Sequence, residues 1–280
     1  MKKFFAVVSI LFLFSCSNSD DDDDDSTGEQ KCYITKFNKV NIKLNGQEFY
    51  TSEYLYNGNQ IIKKLEYKLV DNSTSGQQYP TYEQQLDRTT EVQYNSLNQP
   101  VKIIEPLTYS NIQTTDYLFY DSLGRLSEKN RINTYIPDNT SSTQNFKYSY
   151  NSNNKITVIT EKTTDSWGDI YNENIKMLTY DTDGNLRVVE QTNTNSPIYK
   201  VVTKYDNYDS HKNPFANVNV PFEDIFFLRL SKNNYRKYFK TVVYSTSSPT
   251  NPPAPYENSE ISGYEYNESG YPRFAEYKCN

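Results

Sequence analysis

Apolar and polar residues alternate along most of this chain in short runs, and many of the runs close on a tyrosine. Lys155-Ile-Thr-Val-Ile-Thr-Glu161 and Tyr235-Arg-Lys-Tyr-Phe-Lys-Thr-Val-Val-Tyr244 are rich in β-branched and aromatic residues, which predicts strands. A polar frame follows the closing tyrosine and recurs as Tyr94-Asn-Ser-Leu-Asn98, Tyr120-Asp-Ser-Leu-Gly124, Tyr150-Asn-Ser-Asn-Asn154, Tyr180-Asp-Thr-Asp-Gly184 and Tyr266-Asn-Glu-Ser-Gly270. Asp or Asn follows each tyrosine, and Gly or Asn stands four places after it. An aliphatic residue returns two places later at Leu126, Ile156 and Leu186.

An Asp or Asn side chain can bend onto the following backbone amides. The fourth place must turn left-handed, which Gly allows and Asn tolerates. The frame therefore predicts β-hairpin bends, with Asp121, Gly124, Asp181, Gly184, Asn267 and Gly270 as turn positions. Tyr56-Asn57-Gly58 is a shortened version. After each bend the alternation is expected to restart in register. Looser loops at 137–142, 165–169 and 193–197 are expected on the opposite rim. Recurrence every ~25 to 38 residues is the mark of a meander built from one supersecondary unit.

One segment breaks this rhythm. His211-Lys-Asn-Pro-Phe215 leads into Val220-Pro-Phe-Glu-Asp-Ile-Phe-Phe-Leu-Arg-Leu230, where Pro221, two acids and a dense apolar run predict a short helix. With so many Phe and Leu, this helix is expected to plug the concave side of the sheet.

The N-terminus changes the picture of location. Lys2 and Lys3 precede an apolar run from Phe4 to Phe14, far short of the ~20 residues that span a bilayer, so residues 1–15 read as a signal peptide. Leu13-Phe14-Ser15-Cys16 resembles a lipobox, which makes Cys16 the expected lipidation site. Residues 16–30 carry six consecutive aspartates, Asp20 to Asp25, a block that stays extended and solvated. It reads either as a tether reaching about 50 Å at ~3.4 Å per residue, or as an acidic surface-export signal like that of Bacteroidota lipoproteins. Acyl chains on Cys16 would anchor the rest to the outer membrane, facing outside the cell.

The net charge of −6 comes mostly from that tether; without residues 1–25, 27 basic side chains face 29 acidic ones. So nearly neutral a domain lacks the basic field of a nucleic-acid binder. Beyond Cys16 only Cys32 and Cys279 remain, at the two ends of the domain. In an exported protein they form either a disulfide or two unrelated thiols. Two cysteines alone build no zinc site.

The Tyr-Asp-x-x-Gly-Arg-Leu of 120–126 resembles the YD repeat of the RHS family of β-rich shells. A likeness over most of the chain is to uncharacterised Bacteroidota surface lipoproteins with a lipobox, degenerate YD-like bends, Asn-Pro-Phe before an apolar segment, and Ser-Lys-Asn-Asn. Here those are Cys16, the bends above, Asn213-Pro-Phe215 and Ser231-Lys-Asn-Asn234. The resemblance implies a porin-like shape and supplies no catalytic residue. Lipid-facing strands need an unbroken apolar face; here polar residues interrupt both faces and mean hydropathy is −0.84. Residues 31–280 are accordingly expected to form one all-β domain: a meander of long antiparallel hairpins with YD-type turns, curled into a soluble half-barrel, with one short helix near 221–230.

Motifs for chemistry are sparse. Gly-x-Ser-x-Gly, a phosphate-binding glycine loop and His-Glu-x-x-His are absent from the sequence, and the single histidine, His211, reads as an exposed loop residue. Asp181-Thr-Asp183-Gly184 with Glu190 behind it is a poor match to a calcium loop, because Thr179 falls on the first ligand position. The sequence thus implies no catalytic residue, no metal and no cofactor. The 27 tyrosines suit either a thin sheet wetted on both sides or a surface that stacks on sugars and proteins. Trp167, the sole tryptophan, is a candidate ligand contact or a core residue. The expected role is a non-catalytic binding or scaffold module whose partner is a glycan or a surface protein. The alternative is a glycan-processing enzyme using two carboxylates.

Overall fold

The computed structural model describes residues 32–43, 46–73, 81–106, 111–196, 199–244, 257–260 and 264–279; Cys16 and the aspartate run lie outside them. Strands β1 (Cys32–Lys43), β2 (Gly46–Asn57) and β3 (Gln60–Asp71) open a meander. It continues through β4 (Tyr82–Tyr94), β5 (Pro100–Glu105), β6 (Ile112–Tyr120), β7 (Leu126–Tyr135) and β8 (Thr140–Tyr150). Next come β9 (Ile156–Thr164), β10 (Ile170–Tyr180), β11 (Leu186–Asn193), β12 (Tyr199–Asp206), β13 (Lys237–Tyr244) and β14 (Glu257–Glu260). The last described strand, β15 (Ala275–Cys279), does not follow β14 but pairs with β1 at the far edge, giving an open, antiparallel sheet of 15 strands among the described residues.

Chain length forces this sheet to curl. Laid flat at ~4.8 Å per strand, β14 and β15 would stand about 67 Å apart. The stretch from Glu260 to Ala275 reaches at most ~54 Å. At the β1–β15 edge, Cys32 and Cys279 are joined by a disulfide with Cα atoms 4.0 Å apart.

The bends take the form their sequence dictates. Gly124, Gly184 and Gly270 sit at φ 76°, 87° and 78°, and Asn98 and Asn154 take the same place at 60° and 56°. In the bend after Tyr120, Asp121 Oδ1 accepts from the amides of Leu123 and Arg125, both at 2.9 Å. Asp181 and Asn267 each accept two backbone amides in the same way. The loop at 165–169, expected to be loose, is the same tight bend on the opposite rim. Asp165 Oδ1 accepts from Trp167 and Asp169, and Gly168 has φ 92°.

The alternation does not restart in register. Phe119 pairs with Glu128 but Tyr120 with Leu126, which leaves Ser127 as an extra residue on the returning strand. The same one-residue bulge occurs at Tyr56, Tyr94, Tyr150 and Tyr180. Such a bulge re-phases the side chains, so the tyrosine and the aliphatic residue that opens the next strand face the concave side together.

A lone sheet cannot bury one face by itself. The missing layer is the 30-residue excursion between neighbouring β12 and β13. Its Phe215, Val218, Val220, Phe222 and Ile225 pack on Ile34, Phe37, Tyr54, Ile61, Val92, Ile103 and Leu118 of β1 to β6. On the way back Phe226, Phe227 and Leu228 lie against Phe146, Tyr148, Ile156, Ile159 and Leu178. Each such side chain contributes about 1.5–3 kcal/mol when fully buried. The short helix expected near 221–230 is two 3₁₀ turns, Glu223–Ile225 and Leu228–Leu230. The convex face carries ion pairs such as Lys36–Glu53, Lys63–Glu91, Lys162–Glu173 and Lys200–Glu190, which is not the surface a lipid-facing strand presents.

Candidate functional site

The bend tyrosines explain why the repeat demands Tyr rather than Phe. Tyr120 Oη donates to the carbonyl of Pro100 at 2.7 Å, and Tyr150 Oη to that of Leu126 at 2.8 Å. Tyr94 reaches Ile61 at 2.9 Å, and Tyr56 reaches Ile34 at 2.7 Å. Tyr94, Tyr120 and Tyr150 thus tie their bends to the strand that opens after the preceding bend, and Tyr56 ties its bend to β1, each hydroxyl satisfying a backbone carbonyl. Tyr208 does the same for Leu186. Burial pushes the hydroxyls of Tyr94 and Tyr150 up to about 12. Tyr180 is an exception in this series: its hydroxyl is buried with no hydrogen-bond partner among the described residues.

The crossing segment is pinned to this rim by the two motifs that stand on either side of it. Asn213 Nδ2 donates to the carbonyls of Leu228 and Ser231, at 2.6 and 2.8 Å. Its Oδ1 accepts from the Phe215 amide. Ser231 Oγ accepts from the Leu186 amide at 3.0 Å, and Asn185 and Asn233 bond each other through side chain and backbone. Asn-Pro-Phe and Ser-Lys-Asn-Asn are therefore a clasp, closed on itself and onto the bend after Tyr180.

Between the clasped segment and the bends lies a cavity of about 430 Å³, walled by Tyr120, Tyr150, Tyr180, Pro221 and Phe226. Among the described residues, Arg125, Lys155 and Arg229 are the charged residues of its lining, and no carboxylate lines it. Arg125 is neutralised by Asp121 at 2.7 Å and stacks over Tyr150 at 4.4 Å. Arg229 differs. Its Nη1 donates to the Asn219 carbonyl at 3.2 Å, and among the described residues it has no carboxylate partner. Burial lowers the Arg229 guanidinium from its ordinary value, while Tyr120, Tyr150 and Tyr148 oppose that shift. An arginine nevertheless stays charged. Lys155 has its Nζ 5.9 Å from the Tyr180 ring and likewise lacks an ion-pair partner among the described residues.

The concave face below the cavity is charged but compensated. Asp116 holds Arg131 through two bonds, 2.7 and 3.0 Å, and Arg131 also meets Glu223 of the crossing segment. Lys64, only 4% exposed, bridges Asp224 at 2.8 Å and Glu66 at 3.4 Å. Glu105 lies 3.5 Å from Arg88, and Glu161 lies 2.9 Å from Lys176. Burial raises the Glu105 carboxyl, with Arg88 and Arg131 opposing. For Glu223, burial raises the carboxyl, but Arg131, Lys129 and Lys176 outweigh it and hold it low.

The residues singled out from sequence sit apart from this cavity or beside it. Gly124 lines it, whereas Trp167 stands on the opposite rim, 87% exposed, and packs in no core. His211 is half-buried, not an exposed loop residue. Its ring stacks on Tyr266 at 3.6 Å, and its Nδ1 is buried without a partner among the described residues. Asp181 is committed to its own turn and Glu190 to Lys200, so they do not form a calcium loop. Among the described residues no cluster of His, Cys, Asp and Glu could hold a metal. Arg229 was missed because a single Arg in an apolar run has no spacing that marks it.

No protein-family model matches this chain, and no curated protein matches it in sequence. Among solved structures it is similar to a porin-like protein from Bacteroides uniformis ATCC 8492, at 12% identity and TM-score 0.48, over 88% of this chain and 94% of that one. A porin-like protein from Bacteroides vulgatus ATCC 8482 matches at 15% identity and TM-score 0.48, over 89% of this chain and 98% of that one.

Proposed function

We propose that the protein is a non-catalytic binding or scaffold module, anchored through acyl chains on Cys16 to the outer membrane and displayed outside the cell, with the bend-rim cavity as its binding site. What carries the binding reading is the contrast between two groups of charges. The carboxylates of the concave face, Asp116, Glu223, Asp224, Glu66, Glu105 and Glu161, each have a cation within ion-pair distance. Arg229, by contrast, faces aromatic side chains with no counter-ion among the described residues. Fixed ion pairs suit a rigid scaffold, and a concave aromatic pocket with uncompensated cations suits recognition. The lipobox and the aspartate block support the anchoring and outward display.

One observation favours a glycan-processing enzyme instead: the raised Glu105 carboxyl is what a general acid needs. Incubating the full chain with a panel of polysaccharides separates the two. Hydrolysis abolished by Glu105→Gln or Asp116→Asn would overturn the binding reading, and no turnover is expected. Protease shaving of intact cells tests the location: the domain should be removed, and a protein untouched by it is not displayed outside.

A further inference from the structure

The cavity has the size of a small-ligand site, about 430 Å³ against the ~300–1,000 Å³ usual for such pockets. Its walls and its charge narrow the ligand chemistry. Tyr120, Tyr150 and Phe226 offer flat apolar surface, and the hydroxyls of Tyr120 and Tyr150 are already spent on backbone carbonyls. Their rings therefore act as walls rather than as hydrogen-bond donors. Arg229 keeps donors beyond the single bond to Asn219, in a planar fork that matches a carboxylate. Lys155 adds a second cation to the lining.

Arg229 is held where it is by the fold, not by a charge partner. It lies inside the second 3₁₀ turn, and the turn is followed by Ser231, whose Oγ accepts the Leu186 amide. On the same face Arg131 sits with Asp116, whereas Arg229 has only the Asn219 carbonyl among the described residues. A partly buried guanidinium without a carboxylate gains charge-assisted hydrogen bonds when an anion arrives.

We infer that the cavity binds an acidic saccharide, the carboxylate of a uronic acid resting on the Arg229 guanidinium and the ring lying against the aromatic wall. This rests on the binding-module reading and names its ligand class. Lys155 then meets the remaining polar atoms of the sugar.

Titration calorimetry of the full chain in detergent, with digalacturonate and its neutral methyl ester as probes, tests this. The acid should bind roughly 10- to 100-fold more tightly than the ester, the range for losing a charged hydrogen-bond pair. Arg229→Met should abolish that preference, and Arg229→Lys should retain part of it. Equal binding of acid and ester, binding of neither, or a preference that survives Arg229→Met would overturn the site. If Arg229→Met fails to fold, the acid-against-ester comparison on the unaltered chain decides alone. A peptide with a free C-terminal carboxylate that binds more tightly than digalacturonate would overturn the saccharide assignment. Release of galacturonate from the probe would overturn the non-catalytic reading, while the acid-against-ester ratio still judges the anion site.

Discussion

Replacing Gly124 tests the link between the repeat and the fold most directly. The residue holds φ 76°, where a β-branched side chain is a steric outlier. A Cβ built there would come 3.4 Å from Gln99 Nε2. That atom ends a flexible side chain and can move, so the penalty lies in the backbone. Gly124→Val should therefore cost about 1–3 kcal/mol, the range for sparsely populated backbone regions. The protein supplies its own control, because Asn98 and Asn154 occupy the same place at φ 60° and 56°. Gly124→Asn should accordingly lie near zero, its residual strain offset by the ~0.4–1 kcal/mol that losing a glycine takes from the unfolded chain's entropy. Ser122→Val, at an exposed place that needs no positive φ, should stay within about 0.5 kcal/mol. Urea unfolding reads these differences: with a slope near ~3 kcal/mol/M, a loss of 2 kcal/mol moves the midpoint by about 0.7 M. Equal midpoints for Gly124→Val and Ser122→Val would refute the left-handed bend. A Gly124→Asn variant as weak as Gly124→Val would refute the equivalence of the five bends.

Tyr150→Phe should cost about 1 kcal/mol by orphaning the Leu126 carbonyl; the exposed Tyr117→Phe should cost nothing measurable in the same urea assay, and equal effects would sink the staple. Reduction of Cys32–Cys279, which spans 247 residues, should lower stability by up to about 5 kcal/mol, read as a fall in the thermal midpoint with dithiothreitol; an unmoved midpoint would rule out a stabilising bridge. Tyr94 and Tyr150 are raised from 10.0 to about 12 in the folded protein. Their contribution is therefore complete below pH ~10 and is lost as pH rises through ~12. Absorbance at the tyrosinate band should climb in two stages, exposed tyrosines before these two, and a single stage near pH ~10 would contradict the burial.

The bends were legible because their chemistry is local. Asp121, its two amide donors and Gly124 lie within five consecutive residues, and no distant contact is needed to set them. The plugging role of 220–230 was legible for a related reason: so dense an apolar run must be buried somewhere. Two local readings failed on details the turn itself imposes. The bulge at each tyrosine shifted the phase of the next strand by one residue, and the Asp165–Gly168 pair made a tight bend without a tyrosine before it. Trp167 is so exposed because that bend carries it out on the rim.

By itself, then, the sequence determined the elements that depend on neighbours along the chain: strand composition, left-handed turn places and the apolar character of the crossing segment. Only the tertiary structure decided what depends on neighbours in space. The excursion after β12 runs back along the rim of the bends, and that path sets Arg229 beside Tyr120 and Tyr150, residues about 110 and 80 positions earlier in the chain. The same path brings Asp224 to Lys64 and Glu223 to Arg131, which ties down concave-face carboxylates that sequence alone left open as a catalytic pair. A bend tyrosine's hydroxyl likewise finds its carbonyl on the strand that opens after the preceding bend, because curling the sheet brings successive bends side by side.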